Sequence, residues 1–153
     1  VAVAKFGNRG ASSPSGSFDF LGLLGVPAHR APLSHVPEAL AETGLAFLFA
    51  PQAYPALAPL AALRKRHGQP TAFNYLGPLL NPVRPAYRAL GVSHPGMLDA
   101  MADLLVTEPT NRRALLFRAA NGHDEPDPDG ETAFRRVAPG SGPEAFVVRL
   151  CWD

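Results

Sequence analysis

Cysteine is nearly missing from this chain: Cys151 is the only one in 153 residues. A single thiol excludes an internal disulfide and a cysteine-only metal cluster, and it permits a reducing compartment. Long apolar runs are lacking as well. None approaches the ~20 residues of a membrane span, and the opening residues carry no charged-then-apolar leader pattern. Charged residues are scarce, at 18%, and their net is +1. That balance gives no strong pull toward nucleic acid or an acidic membrane, so neither is expected as a partner. Familiar catalytic signatures are absent. There is no GxSxG elbow, P-loop or GxGxxG, and no Cys–His pair suited to nucleophilic catalysis. The five histidines (His29, His35, His67, His94, His123) fall at no HxH or HExxH spacing, which argues against zinc.

What is present is a patterned, 46% hydrophobic chain, long enough for one domain over residues 1–153 with a real core. Val1 to Ala4 reads as a strand end. Phe18 to Leu24 reads as one or two helical turns stopping at Gly25. Ser34 is placed to N-cap a helix through Thr43, with Gly44 as its stop. Leu45 to Ala50, LAFLFA, is a continuous apolar run, the pattern of a strand buried on both faces of a parallel sheet. Pro55 suits the first turn of a helix to His67, with Gly68 beyond it. Thr71 to Pro85 starts like a strand and becomes Pro- and Gly-rich.

Further strands are expected at Arg88 to Val92, Arg113 to Arg118, Thr132 to Val137 and Phe146 to Leu150, the last two as an antiparallel pair. His94 to Val106 reads as a helix with Met97, Met101, Leu104 and Leu105 on one side. This alternation predicts an α/β domain, a largely parallel sheet flanked by helices. Ligands of such sheets bind beyond the carboxyl ends of strands. The loops after Ala4, Ala50 and Ala119 are therefore the candidates for a shared site. Val1 begins inside a strand without Met, and Asp153 follows one, so the chain is expected to be part of a longer protein.

Four segments carry possible chemistry. Lys5 to Asp19, KFGNRGASSPSGSFD, is a Gly/Ser-rich loop with Lys5 and Arg9. It can turn N–H groups and hydroxyls toward an anion, or be an ordinary surface loop. Arg64 continues the apolar face of Leu57, Leu60 and Ala61 on its helix. There it either meets an anion or snorkels off the helix end to complement the dipole. Asp124-Glu125, in NGHDEPDPDG, offers adjacent carboxylates for Mg²⁺, and equally fits a solvated acidic loop. Gly77 to Pro82, GPLLNP, is a fixed-backbone turn that lines a pocket or simply joins two elements.

Taken together, VAVAKFGNRGASSPSGSFDFLGLLG, LAFLFAPQAYPALAPLAALRKRHG, FNYLGPLLNPVRPAYRALGV and the Asp124-Glu125 pair resemble anthranilate phosphoribosyltransferase, in that family's order and spacing. The resemblance implies a nucleoside phosphorylase-like fold whose N-terminal helical domain is largely outside this chain. It implies transfer of phosphoribosyl from phosphoribosyl pyrophosphate (PRPP) to the amine of anthranilate or a related aromatic acceptor in tryptophan biosynthesis. Mg²⁺ would be the cofactor, the location cytoplasmic, and the full-length parent a homodimer.

Residue by residue, Lys5, Asn8, Arg9, Ser12, Ser13 and Ser17 match the PRPP-binding loop. Asn8, Arg64, Gly77 and Pro78 match acceptor contacts, and Asp124 and Glu125 match the Mg²⁺ ligands. No residue is implied as a covalent catalyst. Two positions depart from the family, which has histidine where this chain has Phe6 and Tyr54. Imidazole donors are thereby exchanged for apolar ring area at the acceptor. The family's GTGGD pyrophosphate loop would lie upstream of Val1, so the isolated stretch is expected to be weakly active or inactive. The competing expectation is a non-catalytic binding or interaction module of the same fold.

Overall fold

The computed structural model describes residues 1–10, 15–69 and 71–149. They fall into two compact units, Val1–Val83 and Arg84–Asp153.

In the first unit, β1 (Val3–Gly7) pairs in parallel with β2 (Leu45–Phe49), Phe6 standing opposite Leu48. β2 is not buried on both faces as its apolar run suggests. Ala46 and Leu48 are buried, whereas Leu45 is 43% exposed. A two-stranded ribbon has two faces, and neighbouring residues point to opposite ones. One face is covered by α1 (Ser17–Leu23), whose buried Phe18 packs its ring 5.1 Å from that of Phe49 and 6.4 Å from that of Phe47. Near the other face run α3 (Ala50–Ala53), a 3-10 turn (Pro55–Leu57) and α4 (Ala58–His67). Asn81 fastens the following segment to the ribbon, its Nδ2 donating to the Ala4 carbonyl at 3.1 Å.

Three local expectations change here. α2 is Val36–Thr43, preceded by a 3-10 turn, Leu33–His35, that contains Ser34. No side chain caps α2, and a proline in its first turn sets the helical φ instead. Gly44 does end it, at φ 72°. Thr71 opens a helix rather than a strand: α5 (Ala72–Leu76) runs into a 3-10 turn, Gly77–Leu80. Asn74 Oδ1 accepts from the Thr71 N–H at 2.9 Å, a capping contact that outweighs the β-forming residues around it. Gly68 stops α4 as expected, in the left-handed region.

In the second unit a four-stranded sheet has the order β3-β4-β5-β6: β3 (Tyr87–Gly91), β4 (Arg113–Ala119), β5 (Glu131–Val137) and β6 (Glu144–Arg149). β3 and β4 are parallel, and the other two pairs antiparallel. α6 (Pro95–Thr107) makes the crossover. It buries Leu98, Met101, Ala102 and Leu105, with Leu104 half exposed, so the buried stripe is turned from the expected one. With parallel strands joined through helices in both units, the chain is α/β.

Candidate functional site

A cavity of about 350 Å³ opens in the first unit, beyond the carboxyl ends of β1 and β2. Phe6, Asn8, Arg9, Tyr54, Arg64, Gly77 and Pro78 all line it. Two of the three strand-end loops thus meet at one cavity; the loop after Ala119 belongs to the second unit. Lys5 and Ser17 are not among the lining residues. Lys5 neighbours Phe6 on β1 and so points to the opposite face. Ser17 begins α1 with its hydroxyl beside Gly7. Ser12 and Ser13 lie outside the described residues.

The cavity wall is aromatic. Phe6 and Tyr54 meet edge to face, with centroids 6.2 Å apart. The Tyr54 hydroxyl donates to the Leu80 carbonyl at 2.8 Å, which pins the Gly77–Leu80 turn to the end of α3. Of the two cations that line the cavity, Arg9 and Arg64, Arg64 is the more buried. Its Nη2 donates to Asn74 Oδ1 at 3.0 Å, and its guanidinium carbon sits 5.8 Å from the Phe73 ring centroid. Its Nε is buried and, among the described residues, has no hydrogen-bond partner. A charged donor buried in that state costs free energy until an acceptor reaches it. Gly77 leaves room: a Cβ added there would meet nothing within 4 Å.

The loop after β1 is closed by Asp19. Its Oδ2 accepts from the Gly10 N–H at 2.7 Å and from the Gly16 N–H at 2.9 Å. These two backbone donors, Gly10 first, hold the carboxyl below the ordinary carboxylate range, with the Arg9 charge adding to the effect. Gly16 has no space for a side chain, since its Cβ would fall 2.6 Å from the Gly10 nitrogen.

In the second unit, the acidic loop sorts its carboxylates. Asp127 is engaged: its Oδ2 accepts from Asn121 Nδ2 at 2.8 Å, and its Oδ1 from the Asp129 N–H at 3.0 Å. Asp124 and Glu125 are exposed, and among the described residues neither carboxylate has a hydrogen-bonding or ionic partner. The Asp124 backbone rests on Gly91 at the end of β3, where a Cβ would overlap its carbonyl oxygen. Two adjacent carboxylates suit Mg²⁺, which takes one or two protein oxygens and completes its shell with water and phosphate. Among the described residues, no three or more His, Cys, Asp or Glu side chains converge so that they could hold a metal ion by themselves.

Residues 1–149 match the glycosyl transferase family, a/b domain. The chain belongs to that family. It is 46% identical over 145 residues to the anthranilate phosphoribosyltransferase of Prochlorococcus marinus (strain MIT 9313), covering 95% of this chain and 41% of that protein. Among solved structures, it resembles anthranilate phosphoribosyltransferase from Saccharomyces cerevisiae in complex with PRPP and Mg, with TM-score 0.85, 28% identity and coverage of 97% of this chain and 40% of that one. It also resembles the same yeast enzyme in complex with 4-fluoroanthranilate, with TM-score 0.79, 28% identity and coverage of 97% and 39%. The chain spans about two fifths of the length of the curated relatives it matches.

Within this glycosyl transferase domain, sequence reasoning did not single out Asp19, Asn81 or Asp127. Asp19 and Asn81 hold their segments by bonds to distant backbone, and Asp127 closes its own loop through the Asn121 amide and the Asp129 N–H. Asp19 had a local signal, a carboxylate three residues into a helix after glycine. Its contact with Gly10 had none.

Proposed function

We propose that this chain forms the central part of an enzyme that transfers phosphoribosyl from PRPP to the amine of anthranilate or a related aromatic acceptor, in tryptophan biosynthesis. The observation that carries the reading is the buried, unpartnered Nε of Arg64 in a cavity walled by Phe6, Tyr54 and Phe73. An aromatic carboxylate fits that combination, with its ring against ring edges and its anion at the guanidinium. The amine attacks C1 of the ribose, the N–C1 bond forms as the C1–pyrophosphate bond breaks, and the amine proton is released. Holding the reactants together and stabilising the leaving charge supply the rate, so no protein nucleophile is needed. Asn8 and Arg9, at the mouth of the cavity, would meet the donor, as would Lys5, Ser12, Ser13 and Ser17 from the same segment. Asp124 and Glu125 would hold Mg²⁺, which when bound offsets the negative charge of pyrophosphate oxygens.

The same reading extends to a cytoplasmic, homodimeric parent. Phe6 and Tyr54 are where the acceptor preference is set. Tyr54 has its hydroxyl committed to Leu80, so the pair offers ring edges and no spare donor on that side. Calorimetric titration of the full-length parent with PRPP and Mg²⁺ tests the proposal, and no Mg²⁺-dependent heat would sink it. Phe6→His with Tyr54→His separates the remaining options. A rise in anthranilate turnover marks a changed acceptor, and none, in a parent that binds PRPP, favours the non-catalytic module.

A further inference from the structure

The carboxylate of Asp19 does more than a helix start requires. Capping the first turn of α1 needs only its bond from the Gly16 N–H. The shorter bond, from the Gly10 N–H, reaches nine residues back and adds nothing to the helix. The same oxygen receives both, so the two ends of the segment from Gly10 to Gly16 are brought to one point. The point itself is fixed. Asp19 follows Phe18, which is buried against Phe47 and Phe49, so the helix carrying the carboxylate is anchored on the ribbon. Gly16 lets the two loop arms touch, because a Cβ there would overlap the backbone of residues 8–10. The closure also balances charge. Arg9 Nε lies 4.0 Å from Asp19 Oδ1, so a loop that faces phosphates carries its one anion already matched.

We propose that Asp19 is a positioning residue for the phosphoribosyl donor. It does not touch the donor. It fixes the loop that presents Asn8 and Arg9 at the cavity, and so sets donor affinity first, while Phe6, Tyr54, Arg64 and Gly77 on the acceptor side stay in place. This inference rests on the reading of the site as a PRPP site.

The test uses the full-length parent with Mg²⁺ present. Wild type is first titrated with PRPP; absence of binding defeats the donor reading itself, before any variant is made. Asp19→Ala and Asp19→Asn are then compared for PRPP Kd, donor KM, acceptor KM, kcat and melting temperature. Losing a charge-assisted clasp is expected to raise PRPP Kd and donor KM about tenfold in Asp19→Ala, with acceptor KM, reached only through Asn8, rising much less. Asp19→Asn, which keeps one oxygen able to accept both bonds, is expected to recover most of that loss. A folded Asp19→Ala with wild-type donor affinity overturns the proposal. So does an equal rise in both KM values, which a merely structural role would give. If Asp19→Ala melts below the assay temperature, Asp19→Ser, whose hydroxyl is too short to gather both N–H groups, decides in its place: a selective rise in donor KM supports the proposal, and an unchanged one overturns it.

Discussion

Two loops of this chain are closed by the same device and offer opposite chemistry. After β1, Asp19 gathers the N–H groups of Gly10 and Gly16. After β4, Asp127 gathers the Asn121 amide and the Asp129 N–H, and its own N–H is donated to Thr132. Each closure presses chain against a glycine without room for a side chain, Gly16 in one case and Gly130, whose Cβ would lie 2.5 Å from Asp127 Oδ2, in the other. What remains is different. The first loop opens on a cavity with an aromatic wall and a guanidinium, and the second leaves Asp124 and Glu125 to solvent. An aspartate's charge therefore does not reveal its task; the groups that donate to it do.

The comparison can be broken most sharply at Arg64. Arg64→Ala in the full-length parent is expected to lower kcat/KM for the acceptor roughly 100-fold, with Arg64→Lys recovering only part because the planar fork is lost. A rise confined to donor KM would show that the cation serves the other substrate. Next in size is Gly91→Ala, which sets a methyl group against the Asp124 backbone. It is expected to cost about 2 kcal/mol, read as a lower melting temperature. Gly77→Ala is its matched control: with open space around the Cβ, its stability should hold while acceptor KM rises.

The two kinds of carboxylate can be separated directly. Asp124→Asn with Glu125→Gln is expected to raise the Mg²⁺ requirement for half-maximal activity about tenfold, with stability unaffected. Asp127→Asn should instead cost about 1 kcal/mol of stability, read as a lower melting temperature. If both variants shift only Mg²⁺ dependence, the division between holding and exposed carboxylates is wrong.

The smallest effect is one of pH. The native carboxyl of Asp19 is depressed by its backbone donors. Its contribution to stability is thus complete above the unfolded value near 4 and is lost as pH falls through the lower native value. The melting difference between wild type and Asp19→Asn should be flat above about pH 5 and shrink on acidification.

Much of this was legible in the residues. The stops at Gly44 and Gly68, the strand of LAFLFA and the antiparallel pair at the C-terminal end follow from local chemistry. So does the placing of Arg64 on the face of Leu57 and Leu60, which becomes the cavity wall. The failures share a cause. Thr71 to Leu76 has the composition of a strand, and one side-chain cap from Asn74 decided for a helix. The burial of β2 on both faces was inferred from hydropathy, although Leu45 is exposed in this unit. Contacts across nine residues, as in Asp19–Gly10, or twenty-six, as in Tyr54–Leu80, exist only once the chain has folded. No periodicity announces them.

The closure by Asp127 also governs how this molecule ages. Asn121-Gly122 is a dipeptide prone to deamidation, in which the glycine nitrogen attacks the asparagine amide carbon. Here the Gly122 N–H is donated to the Ala119 carbonyl at 3.0 Å, and both ends of the Asn121 amide are occupied, by Asp127 and by the His123 N–H. The attack is held back for as long as the loop stays shut. Once it occurs, a new carboxylate faces Asp127 and the two repel, so the first such event would open the loop for good.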